Sequence, residues 1–277
     1  MSPHDLEAQI TALWEHRDDM AAVMSEAEAA AAVRATIDLL DRGEARVAER
    51  VGDDVVVHAW LKQAILLLFR LTHMETMELA PFEYRDKIPL KQHYEAAGVR
   101  VVPGASARWG SYLAPGVIMM PSYVNIGAHV GADTMVDTWA TVGSCAQIGE
   151  RVHLAGGVGI GGVLEPPEAT PIMVGDDAFI GSRCMVVGGA RVGNGAVLGA
   201  GVILSGTIPV IDAETGDEVS RGIVPDWSVV VSATRPREFP GGEFGMPCAL
   251  IIKRLTPGER HDKAALNDAL RESGATT

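Results

Sequence analysis

The sequence predicts a mainly-β chain built around a parallel β-helix of six-residue repeats, and two observations carry that prediction. The first is periodicity. From Ile118, a step of six lands on Val124, Val130, Val136, Val142, Ile148, Leu154 and Ile160. After an interruption it lands on Val174, Ile180, Val186, Val192, Leu198, Leu204 and Val210. Every stop is a branched aliphatic, and the position two residues earlier is mostly small, as in Ala128, Thr134, Ala140, Ala146, Ala178 and Ala190. The second is composition: 31 glycines against an aromatic share of 5% imply a core of small and β-branched side chains, not of large rings.

A period of six fits neither the 3.6-residue helix nor a plain hairpin array. It fits a triangular coil in which each side is one short strand and each corner a tight turn. Three hexads close one coil, and successive coils stack at about 4.8 Å. The aliphatic points inward, the small residue fills the space beside it, and burial of each aliphatic contributes roughly 1.5–3 kcal/mol. The glycine that follows, as at Gly131, Gly143, Gly149, Gly161, Gly175, Gly181, Gly193 and Gly199, is expected to relieve the corner. Between Ile160 and Val174 the segment GGVLEPPEATPIM overruns the hexad spacing and carries three prolines, so it should leave the coil as an external loop. After Val210, IDAETGDEVSRG reads as a polar hairpin before the pattern returns at Val224 and Val230.

The flanks differ in character. Asp5 to His16 and Ser25 to Asp41 read as amphipathic helices, with Ser25 and Glu28 in capping-box positions and Gly43 at the C-terminal stop. Arg46 to Val51 and Val55 to Trp60 alternate around Gly52-Asp53-Asp54 as a hairpin, and Leu61 to Thr72 reads as a buried helix. At the other end, a Pro- and Gly-rich stretch from Pro236 to Pro247 reads as a mobile loop. An apolar strand, Ala249 to Ile252, and a helix from Pro257 to Glu272 follow it. The expected division is an N-terminal helical α/β cap over 1–99, the β-helix over 100–232 with insertions near 163–173 and 211–222, and a C-terminal loop, strand and helix over 233–277.

The net charge of −13 argues against nucleic acid or an anionic membrane as partner, while leaving room for an anionic small ligand at a local basic patch. The first residues show no basic region followed by an apolar one, and the longest apolar runs, such as Ala64 to Phe69, are too short to span a bilayer. Cys145, Cys184 and Cys248 are odd in number and lack metal-like spacing, so reduced thiols in a cytoplasmic protein, without a metal site, are expected.

The stretch MPSYVNIGAHVGADTMVDTWATVGSCAQIGERVHLAGGVGIGGVLEP resembles the tetrahydrodipicolinate N-succinyltransferase family. So do the lead-in Gly98 to Pro103 and the RVAER, HAWLKQAILLLFR and DKIPLK segments of the cap. The resemblance covers about residues 5 to 255 and implies a left-handed coil. It further implies a homotrimer with active sites between subunits, and transfer of a succinyl group from succinyl-CoA to the amine of tetrahydrodipicolinate on the route to diaminopimelate and lysine. No permanently bound cofactor is implied; the acyl-CoA is a co-substrate and the other partner a small dicarboxylate.

Direct acyl transfer needs a base for the amine proton, a donor to the thioester oxygen and clamps for the carboxylates. Through the resemblance, Asp137 matches the family's catalytic carboxylate, as base or amine-orienting group; the competing reading is a turn residue at a corner. Arg100 matches a substrate-binding arginine, with Arg108, Arg183 and Ser144 as further substrate contacts. Gly157 and Gly162 lie in coils whose backbone amides would carry the CoA pantetheine. Lys253 and Arg254 are read either as holding its phosphates or as a solvated basic pair. His129 and His153, 24 residues apart, should occupy different sides of the coil. A trimeric zinc hydratase on the same solenoid would need three converging histidines, and the coils hold two. Two positions depart from the family pattern: Met185 stands where a glutamate is expected, and Ala155 where a serine is expected. Those departures open a second reading, a paralogue that uses acetyl-CoA or another acyl donor.

Overall fold

A computed structural model describes residues 2–52 and 54–257; the helix expected after Pro257 lies outside the described residues. Three helices open the chain: α1 (Pro3–Glu15), α2 (Glu26–Asp41) and α3 (Ala59–Leu71). Ser25 and Glu28 form the capping box expected for α2, and Ser2 with Asp5 forms a second one on α1. A hairpin, Ala48–Val51 with Asp54–Val57, separates α2 from α3. A second hairpin, Glu75–Leu79 with Phe82–Asp86, had no signal in the sequence reading, because its strands are largely exposed and do not alternate cleanly. Ile10, Leu13, Val33, Ile37, Leu61, Ile65 and Leu68 form the helical core and pack on Ile126 and Cys145 of the coil, which seats the cap on one corner of the prism.

From Arg100 onward the chain winds through two-residue parallel strands in three sheets. Thr141–Val142 pairs with Tyr123–Val124 behind it and Gly159–Ile160 ahead of it, which is three hexads each way. The predicted aliphatics from Val124 to Val210 are 4% exposed or less and form one continuous core. The starting point needs correction. Met119, not Ile118, points inward, because Met119 lies beside Val136 in the ladder. The turn to Val124 is therefore one residue short, and six-residue steps run back from Met119 through Leu113 and Ala107 to Val101. Alanine and methionine at those stops hide the repeat from a search for branched aliphatics.

The glycines that follow the inward residue also act differently from the expectation. None of the eight has a positive φ. They are needed for room: a Cβ on Gly143 would collide with the backbone of Gly161 and Gly162 in the next coil, and one on Gly131 would meet that of Gly149. The left-handed corner residues fall two positions later and include Asp133, Trp139, Cys145, Arg151, Asp177 and Arg183.

The loop after Ile160 leaves the coil as expected. The buried Lys62 of α3 ties it to the cap by donating to the carbonyls of Pro166 (3.3 Å) and Ala169 (2.7 Å). The polar stretch after Val210 is a hairpin, Pro209–Asp212 with Glu218–Arg221. The stretch read as a mobile loop, Pro236 to Pro247, is instead the outer half of a long hairpin, Ser228–Phe239 with Gly242–Arg254. Its pairing runs unbroken to Phe239–Gly242, so backbone hydrogen bonds override the Pro and Gly signal, and the boundary expected at 232 falls inside a strand. None of the described helices is long and apolar enough to cross a membrane.

Candidate active site

Each coil has three sides and three corners, which fixes what meets what. The first side carries Tyr112, His129 and Gln147 outward, the second Arg100, Met135, His153 and Phe179, and the third Tyr123, Thr141, Gly159 and Met185. The corner after the second side holds Asp137, Trp139, Gly157 and Arg183; the corner after the third holds Arg108, Ser144 and Gly162.

Asp137 follows the strand Met135–Val136 directly, and its backbone N–H donates to the carbonyl of Leu154 in the next coil. Its Oδ1 accepts the Thr138 N–H (2.6 Å) and the Thr138 hydroxyl (3.2 Å), while Oδ2 faces Nε2 of His153 at 3.4 Å. Partial burial alone would raise the carboxyl's pKa; the Thr138 N–H, the His153 ring and the Thr138 hydroxyl outweigh it and hold the group below its ordinary value. Both side chains of the pair are about one-third exposed, so the pair faces a cleft and not the core. Asp137 does not have the left-handed φ of a corner turn residue; Trp139, two positions on, does. Asp137 nonetheless opens that turn, since its carbonyl accepts the Ala140 N–H at 3.0 Å, so a turn role and the cleft-facing contact coexist in one residue.

Arg183 shares this corner. A Cβ on Gly157 would sit 2.7 Å from Cδ and 2.8 Å from Nε of Arg183, so the glycine lets the arginine stem cross the coil below. Arg183 is exposed and makes no ion pair among the described residues. Arg100 lies on the second side, with the Ile118 and Met135 strands between it and His153, hence about 14 Å away at the usual strand spacing. Of the residues singled out from the sequence, the fold gathers Asp137, Gly157 and Arg183 at one corner, with Arg100 down the adjoining side.

The remaining predicted residues lie elsewhere. Arg108 is ion-paired to Asp86 (2.7 Å), bonded to Asn125 and stacked over Phe69, so its guanidinium is occupied by the cap. Ser144 lies directly under Gly162 at the third corner, a full side of the prism from Asp137. Arg254 is held by Asp212 and by the Ser228 hydroxyl, both at 3.0 Å, which leaves Lys253 as the cation of that pair without an ion pair among the described residues. His129 stacks on Tyr112 on the first side, and burial together with the Arg46 charge pushes its pKa down to about 3. Met185 lies exposed across Gly159 on the third side, and Ala155 is buried beneath the second corner.

The 24-residue spacing from His129 places His153 on another side of the coil but says nothing of what it meets there. Its spacing from Asp137, one coil less two residues, is the signal that places the two side by side across neighbouring strands.

The "Tetrahydrodipicolinate N-succinyltransferase N-terminal" model matches residues 5–71, and the "Hexapeptide repeat of succinyl-transferase" model matches residues 171–205. Two relatives are named 2,3,4,5-tetrahydropyridine-2,6-dicarboxylate N-succinyltransferase. One, from Methylobacterium sp. (strain 4-46), is 48% identical over 98% of this chain and 100% of its own length. The other, from Paramagnetospirillum magneticum, is 49% identical over the same shares. A third of that name, from Dechloromonas aromatica, is 44% identical over 97% and 99%. With near-half identity running end to end through both cap and coil, the chain belongs to the tetrahydrodipicolinate N-succinyltransferase family of acyltransferases.

Proposed function

We propose that this chain transfers the succinyl group of succinyl-CoA to the amine of tetrahydrodipicolinate, in its hydrated or opened form, on the route to diaminopimelate and lysine. The observation that carries this reading is the full-length identity to relatives of that name. The second corner supplies the matching chemistry. Asp137, paired with His153, is the carboxylate of the reacting corner, and Arg183 with Arg100 presents the guanidinium forks that suit a dicarboxylate.

The site is shared between copies in a homotrimer of left-handed coils, working in the cytoplasm. Ser144 and Asp137 lie on opposite edges of the third side, roughly 15–20 Å apart for one hexad of extended chain. One copy therefore does not close both around a ligand. Trp139, Ile203 and Met185 lie along the same corner and side at 72%, 59% and 41% exposure, an apolar strip suited to a neighbouring coil. The pantetheine of CoA runs along the coil past the backbone amides near Gly157 and Gly162, and Lys253 attracts its phosphates. Arg108 acts through the cap and not by direct contact.

A second reading, use of acetyl-CoA or another acyl donor, is favoured by one observation: Met185 offers an exposed thioether, and Ala155 no hydroxyl, where the family pattern leads one to expect a carboxylate and a hydroxyl. Thiol release from succinyl-CoA and from acetyl-CoA, each with tetrahydrodipicolinate as acceptor, decides between them. Turnover with succinyl-CoA at least tenfold faster supports the lead; no turnover with it sinks the lead.

A further inference from the structure

We propose that the amine proton is taken by Nδ1 of His153, and that Asp137 is the residue that positions this imidazole. The proposal rests on the acyl-transfer reading above and assigns the proton's path within that site.

Three observations support it. First, the His153 ring is fixed. It meets Phe179 edge-on at 5.3 Å and 84°, and its Nε2 faces Asp137 Oδ2. Second, the contact selects a tautomer. A carboxylate only accepts, so the nitrogen facing it must carry the hydrogen; a lone pair there would repel the oxygen. Nε2 is thus the N–H, and Nδ1 holds the lone pair, with no hydrogen-bond partner among the described residues. Third, Asp137 is poorly suited to accept the proton itself. Its Oδ1 is already bonded to both Thr138 donors, and its carboxyl sits below the ordinary range, which makes it a weak base near neutrality.

The step balances without any further reactant. The amine nitrogen attacks the thioester carbonyl carbon and a C–N bond forms. The resulting ammonium passes one proton to Nδ1, and the developing imidazolium is stabilised by Asp137 on its other nitrogen. The C–S bond then breaks, and the departing thiolate takes that proton to leave as CoA thiol. Other charged groups on the adjoining elements are Arg183 at the same corner and the Arg151, Asp177 and Glu150 cluster at the head of the His153 and Phe179 strands. Arg151 is already engaged by both acids of that cluster, which leaves Asp137 as the ionic contact of the ring.

The test combines kinetics with a spectroscopic readout. His153→Asn and His153→Gln should lower kcat about 10²–10⁴-fold with little change in KM for succinyl-CoA, and should remove from the kcat profile the acidic limb that an imidazole produces between about pH 5 and 8. Asp137→Asn should lower kcat by loosening the imidazole but keep the limb that the His153 variants remove. In wild-type protein without substrate, the ¹⁵N resonances of His153 should report the Nε2–H tautomer, and Asp137→Asn should mix the two tautomers. Nearly unchanged kcat in both His153 variants would overturn the proposal, and so would an Nδ1–H tautomer in the wild type. Retention of the limb in the His153 variants with its loss in Asp137→Asn would make Asp137 the base. The tautomer measurement needs no acyl donor, so failure of the succinyl-CoA reading leaves it intact.

Discussion

Two corners of the same coil, built from the same hexad, treat their polar side chains in opposite ways. At the corner after the first side, the side chains form a ladder along the prism. Asp176 Oδ1 accepts the Glu150 N–H (2.8 Å), Asn194 Oδ1 accepts the Asp176 N–H (2.9 Å), and Asp226 Oδ1 accepts the Asn194 N–H (2.9 Å). Arg151 forks onto both oxygens of Asp177 at 3.0 Å. At the corner after the second side, Asp137 bonds within its own turn and meets one imidazole, and Arg183 has no ion pair among the described residues. Polar groups satisfied by their own backbone stabilise the coil and leave little for a ligand; groups left open do the reverse.

The strongest way to break this contrast is to remove what both corners hang on. Leu154 is fully buried between them, directly after His153 and before Ala155. Leu154→Ala should cost about 2–5 kcal/mol, read from urea unfolding, and should weaken both corners in one transition. A loss under about 1 kcal/mol would mean that the coils refill the space and that the corners are decoupled.

The next test acts on the open corner alone. Arg183→Ala should raise KM for the dicarboxylate about 10–100-fold, as expected for a lost charged hydrogen bond of about 1.5–3 kcal/mol. Stability should move by less than about 0.5 kcal/mol, because an exposed arginine without an ion pair supports little structure. An unchanged KM would remove Arg183 from the site.

How much of this was legible in the sequence follows from what each feature depends on. The coil from Val124 to Val210 was readable because burial imposes a branched aliphatic at every sixth position. Its first turns were not, since Ala107 and Met119 fill the same inward slots with residues that a periodicity search passes over. The terminal hairpin was missed because backbone pairing, invisible in composition, holds Pro236 and Gly245 in register. At the site, Asp137 and Arg100 came from resemblance, while the partner of Asp137 came from ladder geometry. His153 and Asp137 are close only because one coil sits on another, a relation that needs the register as well as the residues. Arg108 illustrates the opposite failure, an arginine type that suits a dicarboxylate but is already paired with Asp86.

The satisfied corner offers a smaller effect with a clean sign. Asp176→Ala removes one acceptor of a backbone N–H and should destabilise by about 1 kcal/mol without changing kcat or KM. Asp176→Asn keeps Oδ1 in place and should restore most of the loss. A kinetic change in either variant, with stability held, would show that the first corner also serves the ligand.

The smallest effect concerns a polar group of the satisfied kind beyond the last coil. Asp212 accepts from Arg254 at 3.0 Å and from the Glu214 N–H at 3.0 Å, which fastens the two terminal hairpins together. The Arg254 hydrogen bond, followed by that N–H, holds the Asp212 carboxyl below its ordinary value. A carboxyl depressed on folding stabilises fully above its unfolded pKa, about 3.9, and loses that contribution as pH falls through the lower folded value. The wild-type Tm should therefore fall more steeply than that of Asp212→Asn between about pH 4 and pH 2, with the difference between the two largest at neutral pH. Parallel Tm curves would show that the clamp contributes nothing to holding the hairpins, and that the contrast between satisfied and open groups stops at the end of the coil.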